Sequence, residues 1–137
     1  MENSIPRGLR NNNPLNLRKS ENAWLGKCPD GKDPEFEQFI SILYGIRAAF
    51  INVRTIIRRH QHKCTMSQLI TTWAPASDGN NTRAYIARVA KLSRIKPDDL
   101  LVFKDKNQMV ELLWAMAWVE CGQAVLHRHF ENAYEMV

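Results

Sequence analysis

One segment of the sequence constrains the fold more than any other. The run MVELLWAMAWVECG at residues 109–122 is apolar at nearly every position. A helix that is apolar almost all round has no polar face for water, so it must cross a hydrophobic core. Asp105 and Gln108 have the spacing of a capping box, and Gly122 is a typical residue for helix termination. The sequence therefore predicts a central helix over residues 106–121.

Three helices are predicted before this one, and the first two lie upstream of Pro75. Apolar residues recur at helical spacing over residues 41–60, and several arginines follow near the end, where the helix dipole favours cations. Thr65 and Gln68 then form a second potential capping box. It opens a short helix that Pro75 stops.

A third helix before the central one and a last helix after it complete the prediction. Asn81 or Thr82 can cap a helix that ends before Pro97, and a final helix runs from about 124 to 135. Residues 7–35, by contrast, are rich in Asn, Gly, Pro and charge. This composition predicts an ordered Asn-rich loop with at most a short β-hairpin.

Length, charge and cysteine content narrow the class of protein. We expect a single mainly α domain of about five helices over residues 1–137, because a chain of 137 residues fits one core. The net charge of +5 favours an anionic partner, such as nucleic acid, a membrane surface or the bacterial cell wall. Three cysteines without a CxxC pair indicate neither a disulfide framework nor a zinc finger. No signal peptide or membrane span is recognisable, so we expect synthesis in the cytoplasm and no membrane partner.

Glu120 is the first candidate for chemistry. On a helix it projects within about 20° of Leu113, at the end of an apolar stripe, whereas Glu111 points to the opposite side. Apolar neighbours desolvate a carboxyl group and raise its pKa, which suits a general acid that protonates a glycosidic oxygen. The alternative is that Glu120 simply reaches water at the helix end, although the helix dipole disfavours a carboxylate there.

Four short blocks of the sequence resemble a family of phage virion or prophage proteins with a lysozyme-like domain. The blocks are RGLRNNNPLNLR at 7–18, GIRA at 45–48, WAP at 73–75 and NNTRAY at 80–85. The first block is also similar to a segment of bacterial cell-wall glucosaminidases, and the last is similar to a segment of lytic transglycosylases. The resemblance implies a lysozyme-like fold and cleavage of peptidoglycan glycan strands, by a muramidase or a lytic transglycosylase that uses no cofactor.

The order of these blocks departs from that of the enzymes they resemble. There the catalytic glutamate precedes the blocks, whereas here only Glu2 does so. The run AMAWVECG at 115–122 resembles the end of the transglycosylase catalytic helix, with Cys121 in place of the usual Ser or Asn. The resemblance therefore implies a circularly permuted arrangement with Glu120 as the catalytic acid.

The same resemblance, with the chemistry of the side chains, suggests a set of substrate-binding residues. Amides can bind sugar hydroxyl and N-acetyl groups, and aromatic rings can stack on a pyranose face. In the resembled motif a tyrosine hydroxyl lies near the catalytic carboxylate. The predicted residues are Asn13, Asn16, Arg18, Trp24, Asn81, Thr82 and Tyr85. Alternatively, the asparagines tie the loop to its own backbone and the tryptophans belong to the core.

Three other acids are reserve candidates for catalysis. Glu35 and Glu37 alternate with aromatic residues, which could form a short strand with both carboxylates on one face. They could equally be surface charges beside a buried Phe36–Phe39 pair. Asp78 is the only other acid beside the motif residues. A transglycosylase needs no second carboxylate, because in the resembled enzymes the sugar's own hydroxyl completes the displacement.

Two hypotheses from other classes stand beside catalysis. The first is a non-catalytic virion structural or cell-wall-binding protein that keeps the sugar groove without turnover. The second is a nucleic-acid-binding module, because basic residues cluster on two predicted helices, although no recognition-helix or RNA-binding signature accompanies them. These basic residues are Arg54, Arg58, Arg59, Lys63, Arg83, Arg88, Lys91 and Arg94.

The expected partners follow from the leading hypothesis. Peptidoglycan glycan strands come first, with other virion proteins as further partners. The protein would reach the cell wall as part of a virion or after phage-mediated delivery or release. We expect no metal site, because His60 and His62 have a spacing that does not place two ligands on one helical face.

Overall fold

The structure is a computed structural model that describes residues 5–137, so Glu2 lies outside the described residues. This part of the chain contains six α-helices and one 3-10 turn. The elements are α1 (Arg7–Arg10), α2 (Ile42–Arg59), α3 (Met66–Trp73), the 3-10 turn (Ala76–Asp78), α4 (Thr82–Ser93), α5 (Lys106–Cys121) and α6 (His127–Tyr134). Within residues 5–137 the β-pairing is limited to isolated bridges. The predicted mainly α fold is confirmed.

The predicted capping residues begin three of the helices. Thr65 and Gln68 form both hydrogen bonds of a capping box at the start of α3. The side chain of Asn81 accepts a hydrogen bond from a backbone N–H in the first turn of α4. Asp105 accepts from the backbone N–H of Gln108 at the start of α5. These contacts satisfy backbone donors that have no partner inside the helix.

Helix α5 crosses the core as its apolar sequence predicts. It packs against α4, α6, α1 and α2. Its buried residues face several sides of the helix, and they are Met109, Val110, Leu112, Leu113, Ala115, Met116 and Ala117. Burial of this apolar surface is the main stabilising contribution to a fold of this size. The C-terminal end of α5 thus lies beside both α4 and the N-terminal turn α1.

The Asn-rich loop is held by its own side chains and by a salt bridge. Arg7 pairs with Asp33 at 2.6 Å, which lowers the pKa of Asp33 well below its usual range. Asn12 donates to the carbonyl of Phe39 at 2.9 Å. Gly45 of α2 packs so tightly on this loop that a Cβ atom there would collide with the Asn12 carbonyl. The loop is therefore ordered against α2 without a regular sheet.

The structure differs from the sequence prediction in three local features. The N-terminal loop contains the single-turn helix α1, which was not predicted. In place of the short β-hairpin that the sequence allowed, the loop contains the isolated β-bridges Arg18–Phe36 and Lys27–Phe39. The last helix begins at His127 rather than near residue 124. No helix within residues 5–137 is long and apolar enough to cross a membrane.

Candidate functional site

Glu120 lies on the last turn of α5, and its carboxyl group is held by residues from two distant parts of the chain. The Asn16 side-chain amide donates a hydrogen bond to Oε1 at 3.0 Å. The Tyr85 hydroxyl donates to Oε2 at 2.8 Å. With one donor on each oxygen, rotation of the carboxyl group is restricted. The structure thus brings together the acid and two of the residues predicted to surround it.

The environment of Glu120 shifts its pKa in two opposite directions. Burial is the largest effect and raises the pKa of Glu120 above its ordinary value of 4.5. Hydrogen bonds from Asn16 and Tyr85, the nearby Trp73 side chain and the positive charge of Arg18 lower the pKa in turn. Burial dominates, so the carboxyl group retains its proton to a higher pH than an exposed glutamate does.

Asn16 adopts a backbone conformation that few residue types tolerate. Its φ angle of 53° lies in the left-handed region, where asparagine is several-fold enriched. Among residues 5–137 its Oδ1 atom is buried without a hydrogen-bond partner, and it packs against Gly8. A Cβ atom at Gly8 would come within 2.9 Å of this oxygen and of the Asn13 carbonyl. Gly8 therefore provides the space that lets Asn16 reach Glu120.

Tyr85 reaches the site from the first turn of α4. It is only 7% exposed, and its ring belongs to the main core. Burial and the charge of Glu120 raise the pKa of Tyr85 well above its ordinary value of 10.0. The hydroxyl therefore stays protonated at neutral pH and acts as a hydrogen-bond donor to Glu120. Its position agrees with the one that the resemblance implies.

Cys121 follows Glu120 and packs beneath the loop. Its Sγ atom lies 3.4 Å from the carbonyl oxygen of Pro14. Burial, together with the neighbouring Glu120 charge, raises the pKa of this thiol to about 11. Cys121 is thus a protonated packing residue that connects α5 to the Asn-rich loop, rather than a nucleophile.

The Glu120 side chain lines a groove with a volume of about 540 Å³. One wall is the loop from Leu15 to Arg18 with Phe36, and the other walls come from α2 and from the segment between Thr72 and Asn80. Trp73 lies on this surface and is partly exposed. A groove of this size, with an aromatic ring, amides and one partly buried acid, can hold a short stretch of a polar polymer such as a glycan.

The predicted substrate-binding residues fall into two groups, and the first lines the groove. Asn16 and Arg18 both do so. The Arg18 side chain is 67% exposed and lies 3.8 Å from a carboxylate oxygen of Glu35. Its guanidinium carbon also lies 5.4 Å from the centre of the Phe36 ring, which is part of the groove lining.

The second group lies outside the groove lining. Asn13 is fully buried, and its amide donates to the carbonyls of Leu17 and Glu37 and accepts from the backbone N–H of Leu17. Its polar atoms are used inside the loop, so the expectation that Asn13 contacts a sugar is wrong. Trp24 packs on a small cluster formed by Leu17, Phe39 and Ala48.

Asn81 and Thr82 also serve the local structure. The side chain of Asn81 caps α4. The Thr82 hydroxyl donates to the carbonyl of Ala74 at 2.6 Å, which fastens the start of α4 to the end of α3. Neither residue lines the groove. Both hold the start of α4, the helix that carries Tyr85, and ligand binding by these two residues stays a prediction.

The three reserve candidates for catalysis, Glu35, Glu37 and Asp78, lie in different environments. Glu35 is 54% exposed and pairs with Arg7, whereas Glu37 is 1% exposed and pairs with Lys27 at 3.1 Å. The predictions that both carboxylates share one face, or that both are surface charges, are therefore wrong. Neither acid lines the groove. Asp78 does line it and is exposed, so it is the second carboxylate of the site.

Several groove residues were not predicted from sequence. They are Phe36, Asn52, Thr55, Arg59, Trp73 and Asn80. Trp73 lies in the WAP block of the resemblance but is not among the predicted substrate-binding residues. Three of these residues, Asn52, Thr55 and Arg59, belong to α2 and share a helical face with the buried Ile56. The amphipathic pattern of α2 could therefore have indicated them from the sequence.

The remaining basic residues are distributed over two helices. Arg54 and Arg58 line a second pocket of about 320 Å³, away from Glu120. Arg83, Arg88 and Arg94 are exposed on α4 or at its end. Within residues 5–137, no group of three or more His, Cys, Asp and Glu side chains could hold a metal ion. Nucleic-acid binding by these residues stays a prediction.

Comparison with known proteins connects the chain to a bacteriophage. No protein-family model matches it. The chain is 36% identical over 96 residues to Protein P5 of Pseudoalteromonas phage PM2. The alignment covers 68% of this chain and 59% of Protein P5, so the chain spans about three fifths of the length of this relative. The similarity supports a phage origin, which agrees with the resemblance described above.

Proposed function

We propose that this protein cleaves the glycan strands of peptidoglycan, with Glu120 as the general acid. The observation that carries the proposal is the partly buried Glu120 carboxyl group at the groove, held by Asn16 and Tyr85 and with a raised pKa. A general acid needs a proton near neutral pH and a fixed orientation toward the leaving oxygen. The raised pKa of Glu120 shifts in the direction that the first requirement needs, and the hydrogen bonds from Asn16 and Tyr85 support the second.

The chemistry begins with transfer of the Glu120 proton to the oxygen between N-acetylmuramic acid and N-acetylglucosamine. The glycosidic C–O bond breaks, and positive charge develops on the sugar ring. Glu120 becomes a carboxylate at this point, and the hydrogen bonds from Asn16 and Tyr85 stabilise the new charge. The same carboxylate can then accept a proton from the incoming nucleophile.

The nucleophile distinguishes two forms of this reaction. In a lytic transglycosylase, a hydroxyl group of the same sugar attacks and one carboxyl group suffices. In a hydrolase, water attacks and a second carboxylate assists, for which Asp78 is the available groove residue. Mass spectrometry of the released fragments separates the two, because the hydrolytic product is heavier by one water molecule.

The decisive experiment uses Glu120→Gln. This change keeps the size and hydrogen-bonding capacity of the side chain but removes the transferable proton. Clearance of purified peptidoglycan should fall by roughly 10²-fold or more, which is the usual scale for loss of a general acid. Circular dichroism should show an unchanged helical fold.

Glu111→Gln is the matched control, because Glu111 lies on the same helix and pairs with His127 instead of facing the groove. It should retain full activity. Wild-type protein that clears no peptidoglycan from any plausible host would overturn the catalytic proposal, as would equal activity of the Glu120→Gln variant and the wild type.

A wall-binding protein without turnover is the second candidate, and one observation favours it. Cys121 occupies the position where the resembled catalytic motif has Ser or Asn, and its side chain packs against Pro14. The groove would then bind glycan without cleaving it. Under this function, Glu120→Gln and Asn16→Ala would alter retention on intact sacculi, whereas no fragments would be released by any variant.

A further inference from the structure

The groove contains a positive charge that acid catalysis does not require. Arg59 lies on the last turn of α2 and lines the groove together with Asn52 and Thr55. These residues are spaced three, four and seven apart, so they share one face of the helix. Arg59 is exposed, and it forms no ion pair with any acid in residues 5–137.

Arg18 provides a second guanidinium group in the same groove. It is mostly exposed; its contact with Glu35 is long at 3.8 Å, and its guanidinium carbon lies 5.4 Å from the centre of the Phe36 ring. Asp78 is the exposed acid of the groove lining, and Glu120 is partly buried with a raised pKa. The groove therefore presents two exposed cations against one exposed carboxylate.

We infer that Arg59, with Arg18, binds a carboxylate of the substrate, so that the groove prefers anionic peptidoglycan to a neutral glycan. Guanidinium groups bind carboxylates through two parallel hydrogen bonds, which gives direction as well as affinity. Peptidoglycan carries such carboxylates on its stem peptides, and on the lactyl groups where those peptides have been removed. The inference rests on the proposed function, because it names the substrate chemistry of the same site.

Arg58 provides a control for the overall charge of the protein. It is the neighbour of Arg59 on α2, but it faces the second pocket with Arg54 and Ile57. Substitution of either arginine removes one positive charge from the same helix turn. A difference between the two variants therefore reports the position of the charge in the groove and not the net charge.

The test measures cosedimentation with purified sacculi before and after their carboxyl groups are converted to amides. The parent protein carries Glu120→Gln, so that no substrate is consumed during the measurement. Adding Arg59→Gln should lower the preference for native over amidated sacculi by about tenfold, whereas adding Arg58→Gln should leave this preference within about twofold. Arg59→Lys, which keeps the charge, should retain most of it.

A third substrate distinguishes the two sources of the carboxylate. Stripping the stem peptides frees the lactyl carboxyl groups. On such sacculi, an effect of Arg59→Gln that persists shows that a lactyl carboxylate can serve as the ligand, and an effect that disappears identifies the stem peptide. Equal behaviour of the Arg59→Gln and Arg58→Gln variants on native and amidated sacculi would overturn the inference while leaving glycan cleavage intact. Charge-dependent binding with no cleavage by wild-type protein would instead overturn only the catalytic proposal.

Discussion

Asn16 and Glu120 are 104 positions apart in the sequence, yet the Asn16 amide donates a 3.0 Å hydrogen bond to the Glu120 carboxyl group. The contact joins the Asn-rich loop to the end of the central helix α5. It depends on a left-handed backbone at Asn16 and on the absence of a side chain at Gly8. Each of these features can be changed separately.

The first prediction concerns the stability of Glu120→Gln as a function of pH. Because the pKa of Glu120 is raised above 4.5 on folding, the folded protein binds this proton more tightly than the unfolded chain does. The free energy of unfolding of the wild type therefore falls as the pH rises from about 4.5 through the raised pKa. Thermal melts should show the variant gaining Tm relative to the wild type over this range. A Tm difference that is constant with pH would contradict the prediction.

The second prediction separates the two roles of Asn16. Asn16→Gly accommodates a φ of 53° without strain but loses the amide, whereas Asn16→Ala loses the amide and is also strained. We expect both variants to lose peptidoglycan-clearing activity by about tenfold, the scale of one lost hydrogen bond to a charged group. The Ala variant should also be less stable than the Gly variant by about 1 kcal/mol in urea unfolding. Equal stability would show that the backbone conformation relaxes.

The third prediction concerns Tyr85→Phe. Removing the hydroxyl removes a hydrogen bond that lowers the pKa of Glu120, so this pKa should rise. The alkaline limb of the activity profile, where a general acid loses its proton, should move to higher pH even though the maximal rate falls. A comparison of pH–rate profiles measures the shift. An alkaline limb that stays in place would mean that another group controls it.

The fourth prediction concerns Gly8→Ala. The new Cβ atom would lie 2.9 Å from the Asn13 carbonyl and from Asn16 Oδ1, and the backbone carbonyl cannot move cheaply. We expect a loss of about 1–3 kcal/mol in stability, together with reduced activity, because Asn16 is pushed away from Glu120. Arg10→Ala, at an exposed position on the same helical turn, is the control and should change neither quantity. Full activity of the Gly8→Ala variant would show that the loop can yield.

The helices of this protein could be predicted because their signals are local. The capping box of Thr65 and Gln68 and the apolar run of α5 each specify structure within a few residues. The single turn α1 could not be predicted, because four residues provide no periodicity. Its position depends on the salt bridge between Arg7 and Asp33, 26 residues away.

The site was only partly predictable for the same physical reason. The burial of Glu120 follows from its place on an apolar stripe, and the placement of Tyr85 beside it came from the resemblance. The use of Asn13 inside the loop, and of Glu37 in a buried pair with Lys27, depends on how an irregular loop folds back on itself. Such contacts have no sequence period, so side-chain chemistry alone cannot separate a ligand contact from a loop contact.

The distance in sequence between Asn16 and Glu120 also affects when the protein becomes competent during its synthesis. A ribosome adds about 5–20 residues per second, so roughly 5–20 s separate the emergence of these two side chains. Until α5 has left the exit tunnel, the Asn16 amide has no Glu120 carboxyl group to bind. A nascent chain that is released before residue 120 therefore carries no assembled site.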